Sequence, residues 1–193
     1  FPYTTLFRSL LSLIGLKVRK VPSNFEENLR PRDFVTASDY AAETARRKAV
    51  DVAESVHELW DLIIAADTIV EFNGEVLEKP LDEREAVRTL MQLSGKRHTV
   101  YTAVVLMLPS IPEAPILRTF TAATHVWFDD FSKDEAVAYV KTKEPMDKAG
   151  SYGIQGMGGM LVKRIDGCYF NVMGLPVNML ARHLRVLIED QLL

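Results

Sequence analysis

Asp67 is the residue whose surroundings most clearly suggest chemistry. It is the only charged residue in the run Ile63 to Val70, which is otherwise apolar or small. A carboxylate seldom remains inside such a strand unless it is paired or bound to a metal. The pattern favours a metal ligand or a general base in a cleft. An aspartate exposed at a bulge or strand end is the alternative.

Two lysines occupy positions from which they could reach an anion. Lys79 follows a predicted hairpin and precedes Pro80, which cannot donate to a sheet ladder, so a strand is expected to end there. Lys48 lies within a predicted alanine-rich helix. Taken alone, each lysine is also typical of a solvated surface charge.

The densest group of glycines and polar residues lies between Glu144 and Gly156. Backbone amides exposed by glycines can bind phosphate. Asp147, Lys148 and Gln155 could hold a metal, an anion and a base edge, although a flexible loop rich in turns has the same composition. Together with Asp67 these residues predict an acid-and-lysine cleft suited to a metal-bound phosphate ester.

Several other classes of function are disfavoured. The 193 residues carry a formal net charge of −3 and no long run of basic residues, so a nucleic-acid partner is not expected. The sequence contains none of the GxxxxGK[ST], GxSxG, HExxH or GxGxxG motifs. One cysteine excludes an internal disulfide framework. No apolar stretch approaches eighteen residues, so we expect no membrane association and a cytoplasmic protein.

Strand and helix patterns alternate along the chain, which predicts an α/β fold with a mixed sheet. The Asn73-Gly74 pair is the clearest hairpin signal. Predicted helices comprise Ser38 to Trp60, Asp82 to Leu93, Ser132 to Lys141 and Pro176 to Asp190, together with the end of one at Leu10 to Leu16. Predicted strands comprise Lys17 to Val21, Leu62 to Phe72, Glu75 to Leu77, Arg97 to Leu108, Ile116 to Phe128, Met160 to Ile165 and Tyr169 to Val172.

Five motifs, in order and at the expected spacing, resemble the Maf family. They are Ala66 to Val70, Leu77 to Pro80, Leu93 to His98, Glu144 to Gly156 and Asn171 to Pro176. The resemblance runs from Leu10 to the end of the chain. It is strongest toward the Maf domain of acetylserotonin O-methyltransferase-like proteins, which implies a fused methyltransferase domain in the full-length gene product.

The resemblance implies a nucleoside triphosphate pyrophosphatase, which releases a nucleoside monophosphate and pyrophosphate. It also implies the fold shared with inosine triphosphatases: an elongated mixed β-sheet flanked by helices, with a central cleft, in a homodimer. Asp67 matches the active-site carboxylate of the family, and Glu27 matches its second acidic residue near a divalent cation, Mg²⁺ or Mn²⁺. Lys48 and Lys79 match its substrate-contacting lysines.

The substrate class is suggested by Thr68 and Gln155. Their motifs resemble the branch of the family that acts on dTTP and UTP, which implies a role in clearing unwanted nucleotides from the cellular pool. Asp147 and Lys148 complete the expected substrate-binding set. A 7-methyl-GTP pyrophosphatase is the alternative within the family.

The N-terminus departs from the family pattern. Residues Phe1 to Ser9 resemble a translated sequencing adapter, so we expect a single domain over residues 10–193. The Ser-Pro-Arg-Arg motif of the family should fall at positions 4 to 7, where Thr4, Thr5, Leu6 and Phe7 stand instead, and Arg8 is one position out of register. The first strand and these arginines are therefore expected to be missing. A catalytically impaired nucleotide-binding module is the alternative function, and a purely structural domain ranks last.

Overall fold

Antiparallel hairpins build the sheet of this protein. The computed structural model describes residues 3–110 and 114–193, with side chains from residue 6 onward. Its strands are β1 (Ile63–Phe72), β2 (Glu75–Leu77), β3 (Arg97–Leu108), β4 (Ile116–Phe128) and β5 (Val162–Asp166). They lie in the order β2-β1-β3-β4-β5, and every pairing is antiparallel. The predicted hairpin at Asn73-Gly74 joins β1 to β2 as expected.

Six α-helices accompany these strands in the described residues. They are α1 (Tyr3–Leu13), α2 (Ala37–Ser55), α3 (Glu83–Leu93), α4 (Lys133–Lys141), α5 (Tyr169–Val172) and α6 (Val177–Glu189). No helix in the described part of the chain is long and apolar enough to cross a membrane.

The helices cover both faces of the sheet. Alternate residues of β3 point to opposite faces, so Ala103 and Val105 pack in one apolar cluster and Val104 and Leu106 in another. The α2 helix packs on the first face through small residues, which lets it lie close to the strands. The cluster on the second face includes residues of α1 and α6, and a further cluster joins α3 and α4 to the sheet. The predicted α/β fold with helices flanking the sheet is confirmed.

The sheet was expected to contain both parallel and antiparallel strand pairs, and it differs from that expectation. Strands β2 and β3 run in the same direction and are connected through α3, but β1 lies between them and pairs with both. Within the described residues, each strand therefore has only antiparallel neighbours.

Two predicted strands are wrong. Lys17 to Val21 has no regular secondary structure. Tyr169 to Val172 forms the short helix α5, in which Asn171 and Val172 donate their amides to the Cys168 carbonyl. The buried Asn171 side chain donates in turn to the Val100 carbonyl, a tertiary contact that overrides the strand propensity of a short aromatic segment.

The N-terminal segment is helical, and the predicted helix end at Leu10 to Leu16 is confirmed as far as Leu13. Helix α1 ends at Leu13, close to Gly15, whose φ of +81° suits a chain reversal after a helix. Leu10 and Leu11 are buried in the cluster that contains α6. Of the segment expected to be foreign, Phe1 and Pro2 lie outside the described residues. The adapter origin of that segment and the single-domain boundary stay predictions.

Candidate active site

A single cavity of about 1050 Å³ brings the predicted site residues together. It runs along β1 and is bounded by α2, by the segment after β2 and by the segment after α4. All eight residues singled out from the sequence line it: Glu27, Lys48, Asp67, Thr68, Lys79, Asp147, Lys148 and Gln155. Arg8 of α1 lines it as well.

Asp67 reaches the cavity because of its register in β1. It pairs with Ala103 of β3, and its face of β1 also carries Ile69, which packs against α2. Lys48 lies on α2 beside the buried Ala49, so its side chain extends along the sheet toward Asp67. The Lys48 Nζ donates to Asp67 Oδ1 at 2.7 Å.

Lys79 is placed by the β1–β2 hairpin. Lys79 lies two residues beyond Leu77, the last residue of β2, which pairs with Val70 of β1. The Lys79 Nζ lies 3.9 Å from Glu27 Oε2, while Lys48 Nζ lies 3.0 Å from Glu27 Oε1. We refer to Glu27, Lys48, Asp67 and Lys79 as the charged cluster.

Exposure to solvent increases across the charged cluster. The side chains of Asp67 and Lys48 are 11% and 20% exposed, and those of Glu27 and Lys79 are 44% and 58% exposed. The cluster therefore presents a buried carboxylate at its base and an exposed cation at its rim, an arrangement that suits a charged substrate entering from solvent.

Burial and mutual charge shift the pKa values within the cluster. Burial raises the pKa of Asp67 and outweighs the opposing effect of Lys48. Burial also works against the charged form of Lys48, but Asp67 and Glu27 prevail and raise its pKa. Likewise, Lys48 and Lys79 overcome the effect of burial on Glu27 and lower its pKa. Asp67 is thus the carboxylate whose environment most favours accepting a proton.

A second wall of the cavity is formed by the segment after α4. Lys148 Nζ donates to Asp147 Oδ1 at 2.6 Å and to the Glu144 carbonyl at 2.9 Å. Gly150 has a φ of +67°, and a Cβ there would lie 2.7 Å from Val70 Cγ2, so only glycine lets this segment lie against β1. Gln155 follows on the same wall.

Thr68 has a partner within the sheet. Its hydroxyl shares a hydrogen bond with the Thr102 hydroxyl at 2.9 Å, and Thr102 donates to the Asn171 carbonyl. Thr68 therefore joins β1 to β3 as well as lining the cavity.

Sequence reasoning missed Tyr40. This buried residue of α2 lies about two turns before Lys48 on the same face of the helix. Its hydroxyl donates to Glu78 Oε1 at 2.9 Å, which fixes the residue that precedes Lys79. Burial and the nearby carboxylates raise the pKa of Tyr40. The helical spacing from Lys48 was the available signal.

The acidic side chains that line the cavity decide whether a divalent cation could be held there. Within residues 3–110 and 114–193, no group of three or more His, Cys, Asp or Glu side chains is placed to hold a metal. Glu27 and Asp67 nevertheless offer carboxylate oxygens in one cavity, and Mg²⁺ commonly binds through one or two carboxylates plus substrate phosphates. The residues present fit a cation that binds together with the substrate.

Comparison with known proteins gives a consistent result. A family model described as "Maf-like protein" matches residues 8–187. The human "Probable bifunctional dTTP/UTP pyrophosphatase/methyltransferase protein" is 41% identical over 92% of this chain, which spans 30% of its length. The "dTTP/UTP pyrophosphatase" of Carboxydothermus hydrogenoformans is 43% identical over 92% of this chain and 91% of its own. The protein of the same name from Aquifex aeolicus is 40% identical over 92% and 88%.

Proposed function

Because the chain belongs to the family of Maf-like proteins, we propose that it is a nucleoside triphosphate pyrophosphatase that hydrolyses dTTP and UTP. The products would be the nucleoside monophosphate and pyrophosphate. The observation that carries this proposal is the buried Asp67, paired with Lys48 at the base of a cavity that holds every predicted site residue. Relatives named dTTP/UTP pyrophosphatase and about as long as this chain support the substrate.

Asp67 is proposed to act as the general base. A water oxygen attacks the α-phosphorus, its proton passes to an Asp67 carboxylate oxygen, and the α–β anhydride bond breaks with its bridging oxygen leaving on pyrophosphate. The raised pKa of Asp67 suits this role because a base works best when its pKa approaches the working pH. Lys48 orients the carboxylate by donating to Oδ1.

The lysines offset the charge of the substrate. A nucleoside triphosphate is a polyanion, and the chain has a net charge of −3, so binding requires local cations. Lys48 and Lys79 supply them at the charged cluster, and Lys148 adds another on the second wall. We propose that Glu27 and Asp67 would hold a divalent cation, Mg²⁺ or Mn²⁺. When bound, it would polarise the phosphoryl oxygens.

The base of the nucleotide is proposed to lie against the segment after α4. Asp147, Lys148 and Gln155 are the polar side chains there, and Thr68 of β1 lines the same cavity. A glutamine amide can both donate to and accept from the edge of a pyrimidine. A 7-methyl-GTP pyrophosphatase is the alternative, with the same charged cluster and a different base.

The cellular setting is also a proposal. We infer a cytoplasmic homodimer that removes unwanted pyrimidine triphosphates from the nucleotide pool. The bifunctional name of the human relative, of which this chain matches 30%, supports a fused methyltransferase and the likeness to acetylserotonin O-methyltransferase-like proteins.

A catalytically impaired nucleotide-binding module is the second candidate function. It is favoured by one observation: residues 4–7, where the family motif carries arginines, are Thr-Thr-Leu-Phe and lie in α1. Charge-assisted bonds to phosphate contribute about 1.5–3 kcal/mol each, so losing them weakens binding or turnover tenfold or more.

Pyrophosphate release with Mg²⁺ or Mn²⁺ tests both candidates. The panel contains dTTP, UTP, CTP, ITP and 7-methyl-GTP, and the variants are the unmodified chain and one with Ser-Pro-Arg-Arg at positions 4 to 7. We expect the highest kcat/KM for dTTP and UTP, at least in the second form. A higher kcat/KM for 7-methyl-GTP would overturn the proposed substrate. Nucleotide binding without release in both folded forms would establish the binding module.

A further inference from the structure

Glu144 and Tyr139 form a pair that lies behind the cavity wall. Tyr139 is buried on α4, and Glu144 begins a short 3₁₀ helix (Glu144–Asp147) after the left-handed residue Lys143. The Tyr139 hydroxyl donates to Glu144 Oε1 at 2.8 Å. Among the described residues that line the cavity, neither of the two appears.

This pair binds the backbone of residues 153–158, which we call the glycine-rich loop. The Met157 amide donates to Glu144 Oε2 at 2.9 Å, and the Gly158 amide donates to Oε1 at 3.0 Å. The Gly153 amide donates to the Tyr139 hydroxyl at 3.1 Å. One carboxylate therefore holds the far end of the loop directly and the near end through tyrosine.

The glycines allow this close approach. A Cβ on Gly156 would lie 2.3 Å from Glu144 Oε2, and a Cβ on Gly158 would lie 2.4 Å from the Tyr139 hydroxyl. Real Cβ atoms do not come so close to another atom, so the loop backbone rests directly on the two side chains. The amide hydrogen bonds also lower the pKa of Glu144 against the effect of burial, which keeps it ionised.

The other side of the loop faces the nucleotide site. Gln155 lines the cavity between the two ends that the pair holds, and Gly153, the near end, lines it as well. Lys148, on the same wall, donates to the backbone carbonyl of Glu144. Glu144 thus holds the loop that carries Gln155 through its side chain, and its backbone carbonyl accepts a hydrogen bond from Lys148.

We propose that Glu144 and Tyr139 are positioning residues that set Gln155 and Lys148 for binding the nucleotide. This inference rests on the proposed function and deepens it. It assigns the affinity for the nucleotide, and the preference for its base, to two residues that do not line the cavity. The general base Asp67 lies on β1 and takes no part in the hydrogen bonds that the pair makes. Loss of the pair is therefore expected to raise KM and leave kcat nearly unchanged.

Two variants separate the two halves of the pair. Glu144→Gln keeps the shape but turns an amide toward the Met157 N–H, so amide exchange measured by NMR should become faster at Met157. Tyr139→Phe removes the acceptor for Gly153, so exchange should become faster there instead. The control, Glu135→Gln, alters another carboxylate that accepts backbone and hydroxyl hydrogen bonds, in the capping box of α4, and should change neither amide.

The kinetic readout uses UTP and Mg²⁺. We expect KM to rise about 10-fold in Glu144→Gln, with kcat within about threefold, because a hydrogen bond to a charged group is lost. Glu135→Gln should keep both constants. Unchanged amide exchange and unchanged KM in both test variants would overturn the inference, as would a fall in kcat at constant KM, which a purely structural role predicts.

Titration with UMP separates this inference from the proposed function. If the unmodified chain releases no pyrophosphate but Glu144→Gln weakens UMP binding about 10-fold, the pyrophosphatase proposal fails and the positioning role stands. If the unmodified chain hydrolyses UTP and both variants match it in KM and UMP affinity, the positioning role fails alone. If the unmodified chain neither releases pyrophosphate from UTP nor binds UMP, both proposals fail.

Discussion

The two walls of the cavity are built by different means. The charged cluster is carried partly by α2 and β1, and its members are held by ion pairs between side chains, such as Lys48 with Asp67. The glycine-rich loop has little regular structure, and hydrogen bonds from its backbone to Glu144 and Tyr139 hold it. Helices and strands thus position part of the first wall, while one carboxylate and one tyrosine hydroxyl hold the second.

This difference suggests that one wall serves proton transfer and the other serves recognition of the nucleotide base. Groups that move protons must be placed accurately, and helices and strands place them more precisely than loops do. A wall that recognises a base can be remodelled without disturbing the sheet, because loops tolerate change. Changes in the charged cluster should therefore act on kcat and stability, and changes behind the loop should act on KM.

The largest expected effect comes from the charged cluster. Asp67→Asn removes the proton acceptor and keeps the size of the side chain, so we expect kcat for UTP to fall about 10²- to 10⁴-fold. The melting temperature should fall less than in a variant that removes Lys48, since the amide oxygen can still accept from Lys48, which keeps its ion pair with Glu27. Substantial residual turnover would contradict the assignment of Asp67 as the base.

A second prediction compares the two lysines of the cluster. Lys48→Met leaves Asp67 buried without its cation, and we expect the free energy of unfolding to fall by about 3 kcal/mol, the lower end for a broken buried pair. The matched variant Lys79→Met removes an exposed cation 3.9 Å from Glu27 and should cost less than about 1 kcal/mol. Urea denaturation at pH 7 measures both. Equal losses would contradict the difference in burial.

A third prediction concerns a buried histidine that contacts the residue just before the glycine-rich loop. His98 is buried and its Nε2 lies 2.8 Å from the hydroxyl of Tyr152, which lines the cavity just before the loop. Burial lowers the pKa of His98 to about 3, from 6.5 in an unfolded chain. Between these values the unfolded state binds the extra proton, so stability falls as pH falls, by up to about 1.4 kcal/mol per pH unit.

Urea denaturation between pH 7 and pH 4 checks this dependence. The control is His98→Gln, which retains a polar group toward Tyr152 but does not titrate. The difference in slope between the two proteins isolates the histidine from the carboxylates. Identical slopes would show that His98 is not buried in its neutral form.

The smallest expected effect lies on the solvent side of α2. Glu43 accepts hydrogen bonds from Arg46 and Arg47. These bonds, the one from Arg46 above all, lower the pKa of Glu43 to about 2 despite some burial. We expect Glu43→Gln to reduce stability at pH 7 by less than about 1 kcal/mol and to leave kcat and KM unchanged. Because the pKa is lowered, this contribution should disappear as pH falls from about 4.5 toward 2. A clear change in kcat would show that α2 transmits surface changes to Lys48.

The charged cluster was accessible from the sequence, whereas the support of the loop was not. Asp67 is conspicuous because a charge interrupts an apolar strand, and Asn73-Gly74 fixes the hairpin that brings Lys79 beside it. The role of Glu144 depends on amides 13 and 14 residues away, which no local pattern indicates. The helix at Tyr169–Val172 was missed for the same reason, since the contacts of Asn171 are tertiary.

The most direct test of the account is the position at which the triphosphate is cleaved. The unmodified chain would be incubated with UTP and Mg²⁺ and followed by ³¹P NMR, with Asp67→Asn as the blank. We expect UMP and pyrophosphate to appear in equal amounts and the blank to stay almost unreacted. Formation of UDP and orthophosphate, or no reaction by the folded chain, would contradict the proposal that the charged cluster is a pyrophosphatase site.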